Sequence, residues 1–206
     1  MTVISLPDRS WIDLVGPVEG VEMVPWDLVE DPARPDEISL VVPPYMVSSP
    51  WQRLGLLPNL RVVQLLSAGY DNVLAALPTG VLLANASGVH DASTAELAVT
   101  LTLSSLRGIP EYVAAQGRSQ GLLADSRPSL ADKKVLILGY GGIGVAIARR
   151  LGGFEATLTA VASRARVGDE LVASVHGVDE LASLLPEHDV VVSGKQQLNS
   201  AQPGQL

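Results

Sequence analysis

Gly139, Gly141 and Gly144 stand in a GxGxxG spacing between an apolar run, KVLILG, and a helical pattern, IGVAIARRLGG. At a strand's exit this spacing suits a backbone that must meet a diphosphate. The first glycine permits the tight turn, the second lets the main chain approach the ligand, and the third allows close packing of helix on strand. Phosphate oxygens would then face free N–H groups at the positive end of a helix dipole. The following run, TLTAVAS, is expected to end as a strand at Ala162, which places Ser163 and Arg164 where a carboxylate would receive the ribose hydroxyls of NAD. A hydroxyl and a guanidinium there, with Arg166 close by, welcome a 2′-phosphate instead, so the pair favours NADP(H) while leaving NAD possible. Plainer readings stay open: a glycine turn kept for packing, a site for another adenosine ligand such as S-adenosylmethionine, and a solvated basic loop.

The elements that must position these residues are visible in the pattern. TVISL, VEMVPW, ISLVVPP, LRVVQLL and GVLLANA are short β-rich runs separated by turn residues or helical stretches, the rhythm of βαβ units and a parallel sheet. A first domain is expected at about residues 1–92. A long helix should follow, opened by a capping box of Ser93 and Glu96 and stopped or bent by Pro110. Its leucines, valines and alanines occupy most of the circumference, which predicts a buried helix. Residues 111–134 read as a polar connecting arm. In the glycine-led helix Ile143, Ile147 and Leu151 should face the sheet, Arg149 and Arg150 should face water, and Gly152 and Gly153 should supply a left-handed cap. VDELASLLPEHDVVV adds a short helix and a strand, giving a second α/β domain over residues 93–192. Residues 193–206 are a polar tail.

Composition excludes several function classes. Of the 206 residues 47% are hydrophobic and 17% charged, a globular balance. A net charge of −8 offers no broad attraction to nucleic acid or to an anionic membrane surface, so neither is expected as a partner. The absence of cysteine removes disulfides, thiolate metal sites and a cysteine nucleophile, and suits a cytoplasmic, soluble protein; no metal site is expected. The start of the chain, MTVISLPDRSW, lacks the basic and apolar regions of a signal peptide, and the uncharged stretch at 135–148 is too short to span a bilayer.

Four segments in order, LPNLRVVQLLSAGYDNV, ANASGVHDASTAELAVTLTLSSLR, KVLILGYGGIGVAIARRL and DELASLLPEHDVVV, resemble the D-isomer-specific 2-hydroxyacid dehydrogenase family, most nearly its glyoxylate and hydroxypyruvate reductase-like members. The resemblance covers most of residues 38–192. It implies a flavodoxin-like substrate domain, which in the family is split by the inserted nucleotide domain, followed here by an incomplete Rossmann-type NAD(P)-binding domain. It implies an oxidoreductase that exchanges hydride between nicotinamide and a small 2-oxo or 2-hydroxy acid. Gly142 and Ile143 then meet the pyrophosphate with their backbone, Ser163 and Arg164 lie at the adenosine ribose, and the N–H groups of Ser67, Ala68 and Gly69 hold the substrate carboxylate. The last three also read as an ordinary strand-to-helix turn with Asp71 as N-cap. A homodimer is implied, with an arm at roughly 108–130 contributing.

The resemblance also implies a departure. The family's catalytic arginine, acidic residue and acid/base histidine lie beyond DVVV, where this chain reads SGKQQLNSAQPGQL, so no catalytic residue is assigned. The chain looks shortened, and turnover by it alone is expected to be weak or absent. Of the histidines, His90 is the one candidate substitute, more simply a capping or packing residue; His176 and His188 read as lying in surface turns. An alternative function is a catalytically dead nucleotide-binding module or regulatory subunit.

Overall fold

A computed structural model describes residues 1–45, 50–121 and 126–193. The chain divides into two compact units, Met1–Val89 and His90–Leu206. The first carries strands β1 (Thr2–Leu6), β2 (Val21–Pro25), β3 (Ile38–Val41), β4 (Val62–Gln64) and β5 (Leu82–Ala84), with helices α1 (Arg9–Val15) and α2 (Asp71–Leu74). These strands form a five-stranded sheet in the order β2-β1-β3-β4-β5, parallel throughout. This is the flavodoxin-like order, in which the switch of direction falls between β1 and β3. Val3, Ile38, Val41, Val63 and Val73 pack with Leu54 and Trp26 in its core. Asp8 shows why α1 starts where it does: its carboxylate accepts from the N–H of Ser10 at 2.8 Å and of Trp11 at 3.3 Å, satisfying donors that the helix cannot.

The second unit holds α3 (Asp91–Leu106), α4 (Ile109–Gly117), β6 (Lys134–Leu138), α5 (Gly142–Leu151), β7 (Thr157–Ala162), β8 (Arg166–Val167), β9 (Ser174–Gly177), α6 (Leu181–Leu184) and β10 (Val190–Ser193). Its sheet runs β10-β6-β7-β9-β8, with β8 antiparallel and the rest parallel. Counting parallel strands in chain order gives 3-2-1-4, part of the Rossmann order, and its reversal lies between β6 and β10. Ile147, Leu151, Val135, Ile137, Ala160 and Val175 fill the core between α5 and the sheet. Along the outer side of β10, Val191 and Val192 share a groove with Leu101, Thr102 and Leu106 of α3. No helix among the described residues is long and apolar enough to cross a membrane.

Several local expectations are corrected. His90, not Ser93, occupies the N-cap of α3, and Ser93 donates to the His90 carbonyl at 3.2 Å; the helix begins at Asp91, so Ser93 already lies inside the first turn. α3 is not buried all round: Ala95 faces the core, while Leu97 is 57% exposed and Leu101 60%. Pro110 opens a helix instead of ending one. The backbone turns left-handed at Gly108 (φ 63°), and Pro110 enters the first turn of α4, where its missing N–H costs nothing. The polar arm is thus helical as far as Gly117. After α5 the chain continues as a 3-10 turn, Gly152–Phe154, and the left-handed residue is Glu155 (φ 57°), not either glycine. Arg149 is exposed as expected, but Arg150 is half-buried, folding back to donate to the Ala146 carbonyl at 3.0 Å.

Candidate nucleotide and carboxylate site

The glycine turn sits at the C-terminal end of β6. Gly139 takes φ +95°, a conformation that only glycine adopts without strain, and its N–H donates to the Val161 carbonyl at 2.8 Å, tying the turn to β7. Gly141 is the N-cap of α5, and no side chain caps that helix. A Cβ on Gly144 would lie 2.0 Å from the Gly139 carbonyl oxygen, so this glycine is what lets the helix start against the strand. Around Gly139 and Gly141 no atom lies within 4 Å of an added Cβ, which leaves open space on the ligand side. An uncapped helix start of ten residues, an approachable backbone and room in front of it fit a pyrophosphate group. One group opposes it: the Asp91 carboxylate reaches over Gly142, to 2.2 Å from the position of an added Cβ.

Ser163 and Arg164 follow the last residue of β7, beside the glycine turn, and both are exposed. Arg164 has no hydrogen-bond or ion-pair partner among the described residues. Arg166, the expected helper, is committed elsewhere: it donates to the Tyr140 carbonyl and lies over the Tyr140 ring, 5.7 Å from its centroid. The Tyr140 hydroxyl in turn donates to Asp169. Burial, with the Asp169 hydrogen bond next in weight, pushes that phenol up to about 12. The Asp169 carboxyl is held below its ordinary value chiefly by the N–H of Leu171, with Tyr140 adding to it. Neither Tyr140 nor Asp169 is marked by the sequence pattern; a bulky aromatic inside a glycine turn is the one signal that could have drawn attention to it.

In the first unit Ser67, Ala68 and Gly69 form the link from β4 to α2. The Ser67 hydroxyl donates to the Gly69 carbonyl at 2.9 Å, the Asn85 amide donates to the Ala68 carbonyl at 2.8 Å, and the Ala86 N–H donates to the Ser67 carbonyl at 3.0 Å. All three carbonyls are therefore engaged, while the N–H groups of the same residues have no acceptor among the described residues. Backbone donors left without an acceptor in a turn are groups of the kind that bind anions. Asp71 is not the N-cap of α2: Tyr70 holds that position and makes no side-chain cap. Asn85, which fixes the loop from the end of β5, escaped the sequence because nothing local announces a contact across strands.

The histidines do not gather. His90 caps α3 by position, His188 contacts the Leu184 carbonyl at 2.7 Å, and His176 lies in β9, not in a turn, between Ser174 at 3.2 Å and Glu180 at 2.9 Å. Glu180 is held below the usual carboxylate range by His176. Among the described residues no group of three or more His, Asp or Glu side chains could hold a metal ion.

Residues 99–196 match the family model described as "D-isomer specific 2-hydroxyacid dehydrogenase, NAD binding domain". Just under half of the chain is thus similar to the NAD-binding domain of the D-isomer-specific 2-hydroxyacid dehydrogenases. Among curated relatives, the glyoxylate reductase/hydroxypyruvate reductase of Mus musculus is 37% identical over 101 residues, covering 45% of this chain and 30% of that protein. A glyoxylate reductase of Thermofilum pendens is 28% identical over 141 residues, covering 65% and 42%. The chain thus spans less than half the length of either. Among solved structures, a family member of Xanthobacter autotrophicus in complex with NADPH superposes with a TM-score of 0.72 at 22% identity, over 93% of this chain and 62% of that one. An NADPH-dependent glyoxylate/hydroxypyruvate reductase of Sinorhizobium meliloti, in complex with NADP and sulfate, gives a TM-score of 0.72 at 25% identity, over 93% and 60%. These superpositions accord with the flavodoxin-like and Rossmann-type architecture of the family read from the strand orders above.

Proposed function

We propose that this chain serves an NADP(H)-preferring oxidoreductase acting on small 2-oxo and 2-hydroxy acids such as glyoxylate and hydroxypyruvate. The observation that carries the reading is the pairing of an uncapped glycine turn with an unpartnered arginine at the next strand's end. Gly141, Gly142 and Ile143 would present backbone N–H groups to the pyrophosphate, while Gly139 and Gly144 hold the turn in shape. The Ser163 hydroxyl and Arg164 guanidinium would take the 2′-phosphate; NAD, lacking that group, would bind more weakly. The N–H groups of Ser67, Ala68 and Gly69 would hold the carboxylate of the acid. A nicotinamide held there would supply or accept the hydride.

The family's arginine, acid and histidine are matched by no residue here, so these side chains bind and orient but supply no assigned proton. The names of the mouse and Sinorhizobium relatives support the choice of substrate and cofactor. A cytoplasmic homodimer, with residues 108–130 contributing contacts, completes the proposal. Fluorescence titration with NADPH and NADH, followed by NADPH oxidation with glyoxylate, tests it. Tighter binding of NADPH is expected. Tight binding with no turnover at all would identify a nucleotide-binding module, and a folded protein that binds neither nucleotide at millimolar concentration would overturn the reading.

A further inference from the structure

Tyr140 is a large side chain in a turn whose other members are glycines, and only 4% of it is exposed. Its hydroxyl lies 3.0 Å from each oxygen of Asp169, a residue itself fixed by the N–H groups of Leu171 at 2.9 Å and Val172 at 3.2 Å. Arg166 engages the same tyrosine, with its guanidinium over the ring and its N–H on the Tyr140 carbonyl. The excursion between β7 and β9 is therefore attached to the glycine turn twice: at Arg166, just beyond Arg164, and at Asp169, further along. β8 adds a third constraint, since Arg166 pairs with Val175 and Val167 with Ser174.

We infer that Tyr140, Arg166 and Asp169 form a clamp that fixes Ser163 and Arg164 relative to the glycine turn and thereby sets the preference for nucleotides bearing a 2′-phosphate. The inference rests on the dinucleotide reading above. Backbone donors of the turn would grip any dinucleotide alike, because the pyrophosphate is common to all. A 2′-phosphate must reach a second set of donors while the first stays engaged, so its contribution depends on how firmly the two sets are held at one spacing. A loose loop would still offer its arginine, but would lose entropy in placing it, and that loss would fall on the phosphorylated nucleotide alone. Tyr140 and Asp169 act as positioning residues and touch neither phosphate.

Tyr140→Phe removes one O–H, keeps the ring beneath Arg166 and changes no charge. In the full chain it should raise the Kd of NADPH and of adenosine 2′,5′-bisphosphate by about fivefold, the scale of one net hydrogen bond, and shift NADH and 5′-AMP by less than about twofold. Asp169→Asn should move the ratio in the same direction, and serves if the first variant folds poorly by circular dichroism. A merely structural role predicts equal losses for both nucleotide classes; that result, or unchanged ratios in both variants with normal wild-type binding, overturns the clamp alone. Failure of the wild-type protein to bind either nucleotide overturns the dinucleotide reading and the clamp with it.

Discussion

At the exit of β6 the chain turns on Gly139 with φ +95° and enters a helix of ten residues; at the exit of β4 it turns through Ser67, Ala68 and Gly69, none left-handed, and enters one of four. Both turns present backbone N–H groups at the C-terminal end of a parallel strand. The first is enforced by volume: replace Gly144 and a methyl group collides with the Gly139 carbonyl. The second is enforced by partners just beyond β5, Asn85 and Ala86. A sterically enforced turn leaves its mark in the local sequence, whereas a turn held by hydrogen bonds from another strand leaves almost none.

The largest test of this contrast is Gly144→Val. Forced overpacking against backbone should destabilise the protein by about 3 kcal/mol and abolish nucleotide binding, as read from urea unfolding and NADPH titration. Wild-type stability would mean that the close approach is not what the glycine is for. Next comes Arg164→Ala, expected to weaken NADPH by about tenfold to a hundredfold with little change for NADH, since one charge-assisted contact is lost. Combined with Ser163→Asp it should invert the preference; continued preference for NADPH would refute the assignment. In the other turn, Asn85→Ala should cost about 1 kcal/mol by leaving the Ala68 carbonyl short of a donor. Faster amide exchange at residues 67–69 and weaker glyoxylate binding by calorimetry, with NADPH affinity intact, are the expected readouts.

Acid should distinguish the second unit's hydrogen-bonded carboxylates. Asp169 is lowered chiefly by the Leu171 N–H, and Asp189 chiefly by the Lys134 N–H with Lys133 beside it. A carboxyl whose folded pKa lies below the unfolded value of about 3.9 stabilises the protein above that value and loses its contribution as pH falls through the folded one. Stability measured by urea midpoint should therefore decline below about pH 4, and Asp169→Asn should flatten the decline. The smallest effect is expected at Asp91. Its carboxylate over Gly142 competes with an incoming diphosphate for the helix end, so Asp91→Asn should tighten both nucleotides by about twofold, and the gain should shrink with added salt.

Much of the second unit is legible because its signals are local. Ile143, Ile147 and Leu151 at four-residue spacing do face the sheet, and β6, the turn, α5 and β7 follow as the pattern predicts. The β8–β9 hairpin is not legible, since Arg166–Val167 is too short a strand to show a period and is specified by pairing with Ser174–Gly177. For the same reason Arg166 reads as a ligand for the cofactor when its neighbours have already engaged it. The start of α3 is misread because a serine and a glutamate at the right spacing lie one turn too late, and α4 is missed because Gly108 resets the backbone and allows Pro110 to begin a helix.

The outer side of β10 has a practical consequence. Among the described residues β10 pairs with a strand on one side only, and Val191 on it and Leu101 on α3 are exposed, a border of the kind that an extended chain joins. Handling of the purified polypeptide should depend on its concentration. A short synthetic peptide of alternating apolar residues should raise its solubility by occupying that border before another molecule does.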